Sequence, residues 1–392
     1  MKILLIAVLY YYYLLSKIIP LFLKPNPSNK SILFLENFPV ENAGYQQRSF
    51  KWSDYLKKNG YNVQIFTIIE DKKKYDIIRK NRSQNYFLIL ALIKRFSQIV
   101  KARKFSSVIV RRELLFQNDY GNLFLEKMLL NLNKNVILDF DDDLSAAKRQ
   151  PKEITNFYGK LMLENGDKFN NTLKIYSKFI TGSKYLKNRV NKQAKDKIIE
   201  TIPTCVDTHL YSKKNYTSTI PEDRKIKIGW IGSNQNLKYL DLIIEPLNKL
   251  CKEYNIQLMV ISGKEYVHAN AKFEISNLRW SLKSQYKAIS NFDIGIMPLI
   301  ENEVSKGKCS FKLIQYMASG VISIGSDIGS NNELIQHGIN GFLTENKNWY
   351  SILKHAIKSW HKFPQISKSA VERINNEYSF ESNEQKLLKL VK

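Results

Sequence analysis

The stretch Ile226-Lys227-Ile228-Gly229-Trp230-Ile231-Gly232-Ser233-Asn234 sets a short apolar run directly before a glycine-led polar loop. A strand covered by helices on both faces reads as a near-continuous apolar run, and a glycine at its end lets backbone approach a ligand closely. Working outward, Leu258 to Ile261, Ile294 to Met297 and Val321 to Ile324 repeat the apolar run, with helical patterns between them. Upstream, Ile32 to Leu35, Val63 to Thr67, Val108 to Val110, Val136 to Phe140 and Phe179 to Thr181 form a second such set. This alternation predicts an α/β fold of two Rossmann-like, doubly wound parallel-sheet domains.

The sets place an N-terminal domain over residues 28–210 and a C-terminal domain over 226–375. A polar linker carrying Pro221 is expected over 211–225, and a C-terminal helix over 376–392 that packs back on the first domain. Ligands of such sheets bind at the carboxyl ends of the strands, so a cleft between the two domains is the expected site. Neither half carries G-x-G-x-x-G after its first strand, and no G-x-x-x-x-G-K-[ST] loop is present, which removes the main signatures of dinucleotide enzymes and P-loop proteins.

A chain of 392 residues with 44% hydrophobic content exceeds one ordinary core, which fits two domains. Lys plus Arg number 61 against 36 Asp plus Glu, a net charge of +25 that favours anionic partners unless it is simply solvated surface. A basic nucleic-acid binder is the rival from a different class, but no helix-turn-helix, zinc-finger or RRM signature accompanies the charge. Cys205, Cys251 and Cys309 are odd in number and far apart, with no His at zinc-ligand spacing. Neither a disulfide framework nor a zinc site is indicated, and a reducing cytosol fits.

The first 27 residues read as a separate hydrophobic membrane-associating segment. Ile3 to Ser16 is nearly unbroken apolar and aromatic sequence, continued past Lys17 to Leu23 with Pro20 inside it. The run suits a short anchor or an interfacial helix, with Tyr10 to Tyr13 at the headgroup boundary. The alternative is that Met1 to Val8 is the first strand of the fold. Lys17, Lys24 and Lys30 follow the apolar run, so attachment through residues 1–23 at the cytoplasmic face of the cell membrane is expected. The globular part is then not expected to need this segment for folding.

The densest chemical signal is Gly307-Lys308-Cys309-Ser310-Phe311-Lys312-Leu313-Ile314-Gln315-Tyr316-Met317-Ala318-Ser319-Gly320. Ser310 is placed as an N-cap, Leu313, Ile314, Met317 and Ala318 form an apolar stripe, and Gly320 ends the helix. The open N-terminus of such a helix offers backbone N–H groups and a positive dipole end to a phosphate, and Lys308 adds a full charge. With the Gly232, Ser233 and Lys238 loop, these residues describe two sides of a nucleotide diphosphate pocket.

Together these motifs resemble the retaining GT-B glycosyltransferases of family 4. The resemblance runs through Ile228 to Ser233, Phe292 to Leu299, Lys308 to Gly320 and Glu333 to Leu343. In the first half it takes in Arg111 to Leu115, Asp139 to Asp142 and Ile202 to Asp207. It implies a transferase moving a sugar from a nucleotide-diphosphate sugar to a saccharide or lipid-linked saccharide acceptor, with no cofactor and no bound metal. It also implies a place in surface polysaccharide assembly, with Lys308 on the diphosphate and Gln315 on the ribose. Lys308 and the Phe311 and Lys312 backbone amides are the candidates for neutralising the leaving group, with Ser310 among the donor-binding residues. Many members carry two Glu seven residues apart here; this chain has Gly307 and Gln315 instead. A nucleotide-sugar epimerase or a non-catalytic sensor of the same shape remains an alternative.

In the first half, Arg112 and Glu113 follow a strand, where an arginine can hold an acceptor phosphate in bidentate fashion; an ordinary surface ion pair is the competing reading. Arg48 is read in the same way. The cluster Asp139, Asp141, Asp142 and Asp143 ends another strand and is assigned an acceptor or catalytic role, with metal binding or loop capping as alternatives. The candidate catalytic residues are therefore Lys308, Arg112 and Asp141, and the candidate acceptor residues Arg48, Arg112, Glu113, Asp139 and Asp142.

Overall fold

The computed structural model describes residues 2–39, 43–71, 84–115, 123–144, 167–220 and 224–392. The chain divides into two compact units, residues 1–203 with 384–392, and residues 204–383. Unit 1 runs α1 (Lys2–Phe22), β1 (Ser28–Glu36), a π turn (Gln46–Phe50) leading into α2 (Lys51–Lys58), β2 (Asn62–Thr67), α3 (Gln84–Ala102), β3 (Phe105–Arg111) and α4 (Phe124–Leu132). It continues with β4 (Val136–Phe140), α5 (Asp167–Ile175), β5 (Lys178–Thr181), α6 (Lys184–Gln193) and β6 (Ile198–Thr201). Its six strands are parallel in the order β2-β1-β3-β4-β5-β6.

Unit 2 opens with β7 (Ile226–Ile231), a 3-10 segment (Asn234–Ile243), α7 (Ile244–Leu250), β8 (Ile256–Ser262), β9 (Glu274–Arg279) and β10 (Ile294–Met297). It closes with α8 (Phe311–Ala318), β11 (Ile322–Ser326), β12 (Phe342–Thr344), α9 (Trp349–Lys358), α10 (Phe363–Glu377) and the start of α11 (Phe380–Val391). The strand order β12-β11-β10-β7-β8-β9, again parallel, reverses between β7 and β10. Such a reversal point is where doubly wound sheets bind ligands.

Apart from Val63 to Thr67, which forms the edge strand β2, the apolar runs are interior strands, and every residue of β4, β10 and β11 is buried. The unforeseen strands β6, β9 and β12 are sheet edges, and β6 and β9 are half exposed with polar side chains. Edge strands need no apolar run, so hydropathy did not announce these three, whereas it did announce β2 at the other edge of the first sheet. Gly320 ends α8 as expected: at φ +68 its N–H donates to the Met317 carbonyl and Val321 N–H to that of Tyr316, a Schellman pair.

The segment expected as a linker belongs, in its described residues, to unit 2. Tyr211 is buried, and Tyr216 sits edge-on to Trp360 and Phe363 while its hydroxyl donates to the Asp293 carbonyl at 2.6 Å. Lys213 reaches the Ala318 carbonyl and Lys214 pairs with buried Asp293. Two isolated tyrosines and backbone contacts hold this stretch, which is why it shows no periodicity; Pro221 lies outside the described residues.

The N-terminal segment also differs from expectation. Leu9 and Ser16 are buried, Tyr12 meets Phe96 of α3 edge-on at 4.7 Å, and Tyr13 meets Phe124 of α4 at 6.2 Å. Val8, Leu15, Ile19 and Leu23 pack on the same core. One face of α1 therefore completes unit 1 instead of standing apart from it. No helix among the described residues is long and apolar enough to cross a membrane. Leu9→Ala is expected to destabilise unit 1 by about 2 kcal/mol, read by urea denaturation, since it empties a buried leucine site; an unchanged midpoint would return α1 to the status of an appendage.

Candidate functional site

At the carboxyl end of β7 the chain turns through Gly232 and exposed Ser233 into the 3-10 segment, where Ser233 Oγ accepts from the Asn236 amide at 3.0 Å. A Cβ on Gly232 would lie 2.6 Å from the Trp230 ring and 2.9 Å from Lys312 Cε, so glycine is required by close approach. Lys312 Nζ stands 5.5 Å above the Trp230 ring. Lys308 Nζ and Lys238 Nζ lie 5.7 and 5.9 Å from the Tyr239 ring. Three ammonium groups from two segments thus rest on two aromatic faces beside a glycine turn. Cation–π contact orients each charge without neutralising it, and Lys308 has no carboxylate partner among the described residues.

Lys308 is held by its backbone. Its N–H donates to the Ser305 carbonyl at 3.2 Å, and its carbonyl accepts from the Ser330 hydroxyl. Ser310 then enters α8 in the left-handed conformation, φ +57, with its hydroxyl bonded to Ser330 Oγ and to Asn331 Oδ1, each at 2.6 Å. The expected N-cap is therefore corrected: Ser310 latches the loop to the segment after β11 and makes no side-chain cap. The first turn of α8 therefore begins without the side-chain acceptor that the sequence placed at Ser310.

Gln315 lies in the interior. It is 3% exposed and donates from Nε2 to Gln285 Oε1 at 3.2 Å, while Gln285 accepts from Trp280 Nε1 at the same distance. Burial raises the pKa of neighbouring Tyr211 strongly, helped by Tyr286 and opposed by Gln315. The amide pair with Gln285 uses one N–H of the Gln315 amide, so a ribose contact would fall to its other N–H or to Oε1. Sequence reasoning missed Trp230, Tyr239, Gln285, Ser330 and Asn331; only Trp230, inside the strand that opens the loop, gave any signal.

In unit 1 the predicted acceptor residues do meet, at the carboxyl ends of β1, β3 and β4, but mostly in the interior. Arg48, 1% exposed, pairs through Nη2 and Nε with Asp139 and donates from Nη1 to the Ile202 carbonyl at 2.8 Å. Arg111 Nη2 reaches Asp141 Oδ1 at 2.5 Å. Arg112, held at φ +65 with its N–H on the Asp139 carbonyl, pairs with Asp141 at 3.1 Å and with Asp142. Burial opposes charge on Asp141, yet the Arg111, Arg112 and Arg48 guanidiniums hold it far below the ordinary carboxylate range.

Arg48, Asp139 and Asp141 are thus buried buttresses, not groups presented to an acceptor, and the catalytic assignment of Asp141 is withdrawn on that geometry. Arg112, Asp142 and Glu113 retain partial exposure. Among the described residues, no three His, Cys, Asp or Glu are grouped to hold a metal ion.

Glu36, at the end of β1, was not foreseen. It is buried, accepts from the Ser49 hydroxyl, and burial pushes its carboxyl up to about 7 against the pull of Arg111. A carboxyl raised in the folded state stabilises most below its unfolded pKa, and that contribution is lost as pH rises through the folded one. Stability should therefore fall between about pH 4.5 and 7 by a share that Glu36→Gln removes. Parallel pH dependences for wild type and variant in urea melts would contradict this.

Residues 225–361 match the family model described as glycosyl transferases group 1. No curated protein matches the chain by sequence. Among solved structures, a glycosyltransferase from Rickettsia africae is 17% identical with a TM-score of 0.64, covering 93% of this chain and 98% of its own. Sucrose-phosphate synthase from Thermosynechococcus elongatus is 11% identical with a TM-score of 0.67 over the same shares. The Anabaena protein HepE, solved with UDP-glucose, is 13% identical with a TM-score of 0.60, covering 92% and 98%. These likenesses show the GT-B fold of two Rossmann-like domains.

Proposed function

We propose that this chain, whose residues 225–361 match the group 1 glycosyl transferase model, moves a sugar from a nucleoside diphosphate sugar to a saccharide or lipid-linked saccharide acceptor. The observation that carries the reading is the gathering of Lys308, Lys312 and Lys238 on the Trp230 and Tyr239 rings beside Gly232. In transfer, the bond between the anomeric carbon and the diphosphate breaks and one to the acceptor oxygen forms. The acceptor hydroxyl proton leaves, and negative charge grows on the departing diphosphate. Fixed cations and backbone N–H groups aimed at that charge act most strongly in the transition state. Lys308 is the catalytic residue; Lys312, Lys238, Gly232, Ser233 and the Phe311 N–H bind the diphosphate.

The Anabaena neighbour's complex with UDP-glucose supports a nucleotide sugar as donor. Arg112, Asp142 and Glu113 are the unit 1 groups offered to the acceptor, and retention of configuration is taken from the resemblance to family 4. The test is release of nucleoside diphosphate from UDP-, GDP- and ADP-sugars, with and without saccharide acceptors. Acceptor-dependent release is expected. Sugar conversion without an acceptor would identify an epimerase, and binding without any release a sensor; either overturns the reading.

Because side-chain cations carry the charge neutralisation, activity should persist after exhaustive treatment with EDTA. The check is the transfer rate before and after chelation; abolition, with recovery on adding Mn²⁺, would contradict the role given to Lys308.

A further inference from the structure

We propose that α1 docks this chain on an anionic lipid surface, lying in the plane of the interface with its inner face closing unit 1 and its outer face among the headgroups. Apart from Lys2, Ser16 and Lys17, the helix is built of apolar and aromatic residues. Its inner positions, Leu9, Tyr12, Tyr13, Ser16, Ile19 and Leu23, meet the core or pack against it. The opposite positions, Tyr10, Tyr11, Leu14, Ile18, Leu21 and Phe22, recur at the same three-to-four-residue spacing and are all exposed, Leu21 by 69% and Phe22 by 78%. A helix at a water boundary ordinarily carries polar side chains outward. Six large apolar or aromatic side chains in one exposed stripe mark an interaction surface.

Charge selects the occupant. Lys17 on the helix and Lys24 and Lys30 beyond its end are exposed. Backbone bonds from Asn26 to the Arg103 carbonyl and from Ser28 to that of Lys104, each 2.9 Å, bring exposed Lys101 and Lys104 to the same end. The sequence contains no Asp or Glu before Glu36. An apolar stripe edged by lysines, with tyrosines at its upper end, is the pattern of a helix lying in an anionic interface. The proposal is independent of the donor pocket, which lies in unit 2.

The test sediments the full chain with vesicles of phosphatidylglycerol and phosphatidylcholine in equal parts, and with phosphatidylcholine alone. Wild type should partition to the mixed vesicles more strongly than to the neutral ones, and less so in high salt. The outer-face variant Leu14→Gln/Ile18→Gln/Leu21→Gln/Phe22→Ser should lose at least about thirtyfold in partition with its melting temperature unchanged. Leu21→Gln alone, in the last turn, provides the comparison should the fourfold variant fold poorly, and should lose at least about threefold.

Lys17→Glu/Lys24→Glu/Lys30→Glu should lose at least about tenfold, on mixed vesicles only. The proposal is overturned by a wild type that stays in solution, or by outer-face variants that bind like wild type, which would leave the net charge alone responsible. It is equally overturned by a wild-type dimer that dissociates in the outer-face variant without either binding vesicles, since the stripe would then join two copies of the chain.

Discussion

Replacing Lys308 by alanine is expected to lower kcat/KM at least about a hundredfold, the scale of losing one charged donor aimed at a developing anion. The side chain rests on the Tyr239 ring and has no carboxylate partner among the described residues, so its removal leaves no buried group unsatisfied. The loop that carries it is fastened by the backbone carbonyl of residue 308 to Ser330 and by Ser310 to Asn331, contacts that alanine keeps. Folding should therefore be untouched while the rate collapses. A variant with wild-type kcat/KM, or one that loses activity only by losing its melting transition, would remove Lys308 from the site.

The second large effect is on stability. Arg48→Ala strips Asp139 of its bidentate partner and the Ile202 carbonyl of a donor, inside a core where both sit almost free of water. Removing one member of a buried ion pair costs about 3–5 kcal/mol, because the other charge stays buried. Arg111, 3.9 Å from Asp139, offers only partial compensation. Asp139→Asn in the Arg48→Ala background should recover part of the loss by discharging the orphan. Urea denaturation is the check; a loss under about 1 kcal/mol would mean that the pair is not the anchor of the β1 and β4 ends.

The interior strands were legible because a parallel sheet covered on both faces forces an unbroken apolar run, as in Val136 to Phe140 and Ile294 to Met297. Of the edges, only β2 was legible, through Val63 to Thr67; Ile198–Thr201 and Glu274–Arg279 pair on one side only and tolerate polar residues. At the proposed donor site, the glycine turn and the lysine before a helix were visible because a glycine and a charge next to a helix start are sequence-level signals. The side-chain directions of Ser310 and Gln315 were not, being set by Asn331 and Gln285, which lie 21 and 30 positions away in sequence. The arginines of unit 1 were read outward because charged groups are rarely buried, and only the three-dimensional pairing with Asp139 and Asp141 turns them inward. The N-terminal run was read as detached because hydropathy reports that α1 is apolar, not that two different surroundings share its two faces.

The most direct test is thermal melting of the full chain with UDP-, GDP- and ADP-sugars, in parallel with Lys308→Ala. At a hundred times the dissociation constant, a bound donor should stabilise the wild type by about 2.7 kcal/mol. At the same concentration, the variant should show a much smaller shift. If no sugar nucleotide shifts the wild type, or the variant is stabilised equally, the pocket of Lys308, Lys312 and Gly232 is not where a nucleoside diphosphate sugar binds.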